Sequence, residues 1–242
     1  MNRSTEFLTF NDDKTGKTSL IPHSFCLLIV DGLEASATFA LTNILGNSIK
    51  AKRPVILLNL SHSLDHYAAI LKKSAVHLST VPKNLFTCFS VSPTNEASME
   101  RLEKQTREVL GEAEQKAIFI IDDLSSLLWS GHSILEIVSF VRSLHTALLE
   151  IDGSLVLLQH GDQLSDKSTD DYRLFHKLLQ RVDLWIEASV LISQTHGELS
   201  IYRGPCLRDA SVEERARNSA LHYKLEEAGA VFNNKGLGRE FL

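Results

Sequence analysis

The stretch Val30-Asp-Gly-Leu-Glu-Ala-Ser36 (VDGLEAS) decides how this chain is read. It joins the first strongly apolar run, FCLLIV (25–30), to the first long helix-like segment, ASATFALTNILGNSIKA (35–51). In a phosphate-binding α/β protein, this strand-to-helix turn is where a P-loop sits. Glycines there let backbone N–H groups wrap the phosphates, and a lysine reaches them. Here the turn holds one glycine, no lysine and two acidic side chains, Asp31 and Glu34. Carboxylates at that place repel a triphosphate by about 1 kcal/mol or more per close pair, even at high dielectric. The position of a nucleotide loop exists; its nucleotide chemistry is absent.

Downstream, further short apolar runs follow at VILLNL (55–60), LFTCFSV (85–91), AIFIID (117–122), SLVLLQH (154–160) and LWIEASVLI (184–192). Runs this short and apolar on both faces are what strands covered on both sides look like. Between them lie helical stretches at 64–73, 98–115, 132–150 and 168–182. The third is apolar nearly all round and predicts a well-buried helix, opened by a capping box at Ser133-x-x-Glu136. The fourth opens with the similar Ser168-x-x-Asp171. Strand alternating with helix predicts a mainly parallel sheet with helices on both faces. From about residue 184 the pattern changes to antiparallel hairpins, one turning near His196-Gly197 and one near Ala228-Gly229. Residues 1–22 read as a polar, poorly ordered lead-in, and residues 23–242 as a single domain.

A second P-loop candidate, Gly16-Lys17-Thr18 in DDKTGKTSL (12–20), carries the tail of G-x-x-x-x-G-K-[ST]. Asn11 stands at the first glycine position, and SLIPHS follows where a helix must begin. Pro22 interrupts that helix. If the triplet were nonetheless a working loop, the chain would be an NTP-dependent kinase or ATPase using Gly16-Lys17-Thr18 with Asp122.

The bulk numbers set bounds. A chain of 242 residues has room for one well-buried domain or two small ones. A net charge of −5 gives no bulk basic footprint for nucleic acid or anionic membrane. No apolar run approaches a membrane-spanning length of about 18 residues. The opening MNRSTEFLTFNDD lacks the apolar core and cleavage site of a secretory signal. Cys26, Cys88 and Cys206 are widely spaced without a C-x-x-C pair, which predicts reduced thiols rather than disulfides or zinc.

AIFIIDDLSSLLWSG (117–131) ends an apolar strand in Asp122-Asp123, the shape of a Walker B carboxylate. Together, IIDDLSSLL, the SLDHY of 63–67, the LVLLQHGD of 155–162 and the closing ALHYKLEEAGAVFNNKG resemble the family of sixth subunits of the Elongator complex. The resemblance spans roughly residues 25–235, with the motifs in the family's order. It implies a RecA-like, P-loop-NTPase-type fold with a degenerate nucleotide loop. It also implies a 2:2:2 heterohexameric ring with the fourth and fifth Elongator subunits, docked on the catalytic Elongator subcomplex. Such a ring binds tRNA and supports wobble-uridine modification in the cytoplasm and nucleus. This chain is then no enzyme, with no cofactor of its own and ATP only at ring interfaces. The family pattern falls on Ser63, His66, Tyr67, Asp122, Asp123, Leu124, Ser125, Leu127, Leu128, Val156 and His160.

In RecA-like rings the segments after the fourth and fifth core strands line the channel, here Leu124–Ser133 and Gly161–Thr169. The second supplies Lys167, with Arg173 and Lys177 on the next helix, as a tRNA-facing set. Asp162, Asp166, Asp170 and Asp171 beside them make any phosphate affinity weak and salt-sensitive. Arg203, after the hairpin strand LSIY, stands where ring ATPases present a trans-acting arginine. A surface arginine guarding an edge strand is the plainer reading.

His62 and His66 at i, i+4 lack a third metal ligand of suggestive spacing, so no metal is expected. Ser125 or Ser126 with Asp123 and a histidine would need a G-x-S-x-G elbow to read as a hydrolase triad, and none exists. A third reading is a free-standing, clock- or helicase-like signalling ATPase relative that forms a homo-oligomer.

Overall fold

All six apolar runs become parallel strands of one nine-stranded sheet in the computed structural model. The structure describes residues 6–12, 16–90, 99–162, 164–193, 195–207, 215–227 and 229–235. In chain order its strands are β1 (Phe10–Asp12), β2 (Gly16–Thr18), β3 (Cys26–Asp31), β4 (Val55–Asn59), β5 (Phe86–Ser90), β6 (Ile118–Ile121), β7 (Ser154–His160), β8 (Leu184–Ser193), β9 (His196–Arg203), β10 (Leu221–Glu226) and β11 (Gly229–Asn234). The helices are α1 (Thr38–Lys50), α2 (Leu64–Lys73), α3 (Met99–Gly111), α4 (Ser125–Trp129), α5 (Ile134–Glu150) and α6 (Asp170–Leu179).

The order across the sheet is β11-β10-β9-β8-β3-β7-β6-β4-β5. Strands β3 to β8 form its parallel part, and β8 through β11 extend it as an antiparallel meander. Alternation along β3 sends Leu27 and Ile29 to a core beneath α1 and α2, and Cys26, Leu28 and Val30 to a core beneath α3, α5 and α6. Period-two side-chain direction with apolar residues at every position is what a sheet covered on both faces requires.

The boundaries shift in instructive places. The N-terminal segment, expected to be a poorly ordered lead-in, pairs β1 with β2 and buries Phe7, Leu8, Phe10 and Ile21 in the α1/α2-side core. Phe7 packs on Phe232 and Phe10 on Phe25, each with ring centroids 5.5 Å apart. These side chains cover apolar surface that α1 and the meander leave open. Arg53 ties the segment down from the other side. Its Nε donates to the Lys116 carbonyl at 2.7 Å, Nη2 to Ser154 Oγ at 2.8 Å, and Nη1 to the Ile21 carbonyl.

The capping box at Ser133 and Glu136 opens α5 as expected, but the helix buries one face and leaves Leu135 and Leu149 exposed. Helix α6 is capped by Thr169 rather than Ser168, which hydrogen-bonds Asp166 instead. The first hairpin pairs Ser193 with His196, so it turns before His196-Gly197. Gly197 instead lies within β9, where an added Cβ would meet the Ser189 carbonyl at 2.4 Å and the Tyr223 ring at 2.5 Å. The second expected turn includes Ala228, which lies outside the described residues; β10 and β11 flank it with Glu226 opposite Gly229.

Candidate functional site

The carboxyl ends of the parallel strands are where open α/β sheets hold ligands. At the end of β3 the VDGLEAS loop is already occupied by the protein's own acceptors. Asp31 Oδ2 accepts the Ala37 N–H at 2.7 Å and so caps the start of α1, a helix without a side-chain N-cap of its own. Asp162 Oδ1 accepts the Leu33 N–H at 2.9 Å. Gly32 and Ala35 exchange backbone bonds, and the Thr38 N–H reaches Ser36 Oγ. These are the amides that a P-loop would turn toward phosphate. A Cβ at position 32 would lie 2.9 Å from Asp162 Oδ1, so a larger residue there would displace the carboxylate that accepts from Leu33.

Strand β7 lies between β3 and β6, and His160 at its end bridges their carboxylates. Its Nδ1 lies 2.5 Å from Asp31 Oδ1 and its Nε2 3.6 Å from Asp123 Oδ2, while its ring stacks on Trp129 at 5.5 Å and 12°. The hydrogen bond to Asp31 lifts the imidazole to a pKa of about 9; burial opposes this, and the charges of Asp31, Asp123 and Asp162 add to it.

A histidine whose pKa is raised on folding stabilises the fold fully below its ordinary value of 6.5 and loses that contribution as pH rises through about 9. With the ring 28% exposed, the expected loss between pH 6.5 and 10 is about 1–2 kcal/mol after screening. Urea midpoints across that range, compared with those of His160→Gln, check it: the variant's dependence should be flatter.

Asp122 closes a second loop. Its carboxylate accepts the N–H groups of Leu60 at 2.6 Å, Ser61 at 3.2 Å and His62 at 3.3 Å, and the Tyr67 hydroxyl at 3.0 Å. Four donors match the roughly four lone-pair sites of a carboxylate, leaving none for a metal-bound nucleotide. Burial pushes this carboxyl up, and the backbone and tyrosine donors pull it back. Ser63 caps α2 through the His66 N–H at 3.3 Å, and that helix carries Tyr67 to Asp122.

Asp123 accepts the Ser125 N–H at 2.8 Å and the Ser126 hydroxyl, opening α4. Ser125 Oγ accepts the His160 backbone N–H at 2.9 Å. Both ring nitrogens of His160 face carboxylates, so neither serves as base to a serine. Leu124, at the start of α4, and Leu127, within it, are buried, as is Val156 in β7. The motifs at 63–67, 117–131 and 155–162 thus converge on one cluster.

The other candidate residues lie elsewhere. Gly16-Lys17-Thr18 is strand β2, with no helix until α1 begins at Thr38. Lys167 is exposed in the turn before α6; Arg173 pairs with Asp170 at 3.2 Å, and Lys177 sits in the helix's last turn. Arg203 pairs in register with Leu184, which puts it at the amino end of the parallel strands, opposite the cluster. The His62 and His66 rings stack at 4.4 Å, turning faces rather than nitrogens toward each other. Among the described residues, no group of three or more His, Cys, Asp or Glu is arranged to hold a metal, and no helix is long and apolar enough to cross a membrane. Cys26 is buried, and burial pushes its thiol far up; Cys88, half-buried, is raised to about 11. Asp31 and Trp129 were missed as members of the site. The only signal for Asp31 was its place at a strand end before a helix, read as repulsion rather than as a cap.

Fold and site together define a RecA-type α/β module whose nucleotide loop is filled by its own carboxylates. A KaiC-like protein from Pyrococcus horikoshii OT3 has the same fold, with a TM-score of 0.64 at 10% identity over 88% of this chain and 91% of that one. The chain belongs to the Elongation complex protein 6 family, whose model matches residues 83–227. It is 26% identical over 136 residues to Elongator complex protein 6 of Xenopus tropicalis, a match covering 54% of this chain and 51% of the relative. The matched stretch is thus about half of that relative's length.

Proposed function

We propose that this chain is a non-catalytic subunit of Elongator. It sits with the fourth and fifth subunits in a 2:2:2 accessory ring that docks on the catalytic subcomplex, binds tRNA and supports wobble-uridine modification in the cytoplasm and nucleus. Any ATP belongs to interfaces of the assembled ring. The observation that carries the non-catalytic part is the VDGLEAS loop: the Gly32, Leu33 and Ala35 N–H groups, and that of Ala37 just after it, are satisfied by the loop's own turn, Asp162 and Asp31. Family membership and the neighbouring relative's name supply the complex. The exposed apolar side chains Leu33, Trp129 and Leu135 suit a chain that buries surface against partners. Lys167, Arg173 and Lys177 remain the proposed tRNA-facing set, and their mixed-sign surroundings call for a steep loss of binding with salt.

Native mass spectrometry of this chain, alone and co-expressed with the fourth and fifth Elongator subunits, tests the reading. The expected result is an assembly with two copies of each. A monomer or self-oligomer indifferent to both partners would overturn it.

A further inference from the structure

Helices α1 and α2 lie side by side on one face of the sheet, and a cavity of about 590 Å³ runs along the groove between them, flanked by the turn of the β10–β11 hairpin. Its lining reaches from Thr38 to Lys50 on α1, about 18 Å of helix. A cavity of this size holds a whole small ligand or one unit of a larger one.

The two ends of the groove differ. Both helices start at the carboxyl ends of the parallel strands and finish at the amino ends. At the finish stand Lys50 and Lys73, which line the cavity and have no ion-pair partner among the described residues, with Lys52 and Lys72 exposed beside them. At the start stand His62 and His66, their rings stacked 4.4 Å apart with 25° between the planes. Both are held in place. Asp122 accepts the His62 N–H, Ser63 caps the turn that carries His66, and both rings meet the buried Tyr67 ring edge-on at 6.1 and 5.7 Å. Strand β10 runs with the parallel strands, so Glu226 and Glu227 after it belong to this end as well. Between the ends, Asn47 Nδ2 donates to Asn43 Oδ1 at 3.1 Å, which leaves Asn47 Oδ1 as an acceptor on the wall.

Rings on which a base stacks, an amide for its edge and cations for its phosphate are the elements of single-stranded RNA recognition. From His66 to Lys73 is about 10 Å of helix, a gap that a base-ribose-phosphate unit and a flexible lysine stem span together. An acidic peptide would satisfy the lysines, but it would leave the stacked rings unused and bring its other charges toward Glu226 and Glu227. A free nucleotide makes one such contact and stays weak; in a strand, neighbouring phosphates also reach Lys52 and Lys72.

We propose that the α1–α2 cleft is a binding site for a nucleotide of single-stranded RNA, its base on the His62–His66 stack and its phosphate against Lys50 and Lys73. The cleft lies on the opposite face of the sheet from α6, so this contact is separate from Arg173 and Lys177. RNA as the partner rests on the function proposed above; the place of contact does not.

The test titrates full-length protein into fluorescein-labelled octauridylate, followed by anisotropy over a range of salt. Saturable binding is expected. Lys50→Gln/Lys73→Gln should bind at least ten-fold more weakly at low salt, with a log–log salt slope shallower by about 1.4, two phosphate contacts at about 0.7 each. His66→Ala should bind at least five-fold more weakly with the slope unchanged, because it removes stacking and no charge. All three side chains are exposed, so the fold is preserved. No saturable binding, unchanged affinity in either variant, equal binding of an abasic strand of the same length, or displacement by a glutamate-rich peptide at lower concentration than by unlabelled octauridylate would overturn the proposal.

The ring is read separately, by native mass spectrometry. Cleft-dependent RNA binding by a chain that ignores the fourth and fifth subunits would keep the cleft and overturn the ring. An assembled ring whose RNA affinity is indifferent to Lys50→Gln/Lys73→Gln and His66→Ala would do the reverse.

Discussion

Replacing Asp122 with alanine is expected to destabilise the fold by about 3–5 kcal/mol, the scale on which removing one partner strands buried polar groups. The carboxylate is 3% exposed and serves Leu60, Ser61, His62 and Tyr67 at once. Alanine leaves the buried Leu60 N–H and Tyr67 hydroxyl unmatched and removes the acceptor that holds the half-buried Ser61 and His62 amides. Tyr67→Phe removes one donor together with its need and should cost only about 1–2 kcal/mol. Urea unfolding of both variants separates them by midpoint at constant slope. A loss near 1 kcal/mol for Asp122→Ala would show that the loop after β4 is held by something else.

Asp31→Ala comes next, at an expected cost of about 2–4 kcal/mol. It uncaps Ala37 at the start of α1 and strips His160 of its closest partner. The two consequences have different signatures. Urea unfolding reads the stability, while NMR titration of the His160 ring should show its pKa falling from about 9 back toward the ordinary imidazole range. An unchanged His160 titration would mean that Asp123 and Asp162 hold the proton without Asp31.

Much of this was legible in the sequence because both-face burial leaves a coarse signal. SLVLLQH became β7 at the residues expected, LDHYAAILKK became α2, and Ser133 formed its capping box. The degenerate loop was legible too, since missing glycines and a missing lysine are local facts. What the acidic residues do there was not legible. Asp31 reads as a repulsive charge until the fold brings His160 from β7 against it, a pairing across 129 residues of chain. Asp122 reads as a Walker B carboxylate until Tyr67 and three loop amides are seen to fill it. The N-terminal hairpin was missed for the same reason: Phe7, Leu8 and Phe10 are too short a run to signal burial alone, and their partners come from elsewhere in the fold, Phe232 in the meander and Phe25 just before β3. Gly197 reads as a turn residue because glycine usually marks one; here it admits Tyr223.

Titration calorimetry of the isolated chain with Mg²⁺-ATP tests most directly whether the nucleotide site is self-filled. The expected result is no binding tighter than about 1 mM, a free energy of about −4 kcal/mol, and no difference between wild type and Lys17→Ala. Micromolar binding lost on Lys17→Ala would contradict the self-filled site and restore Gly16-Lys17-Thr18 as a working phosphate loop.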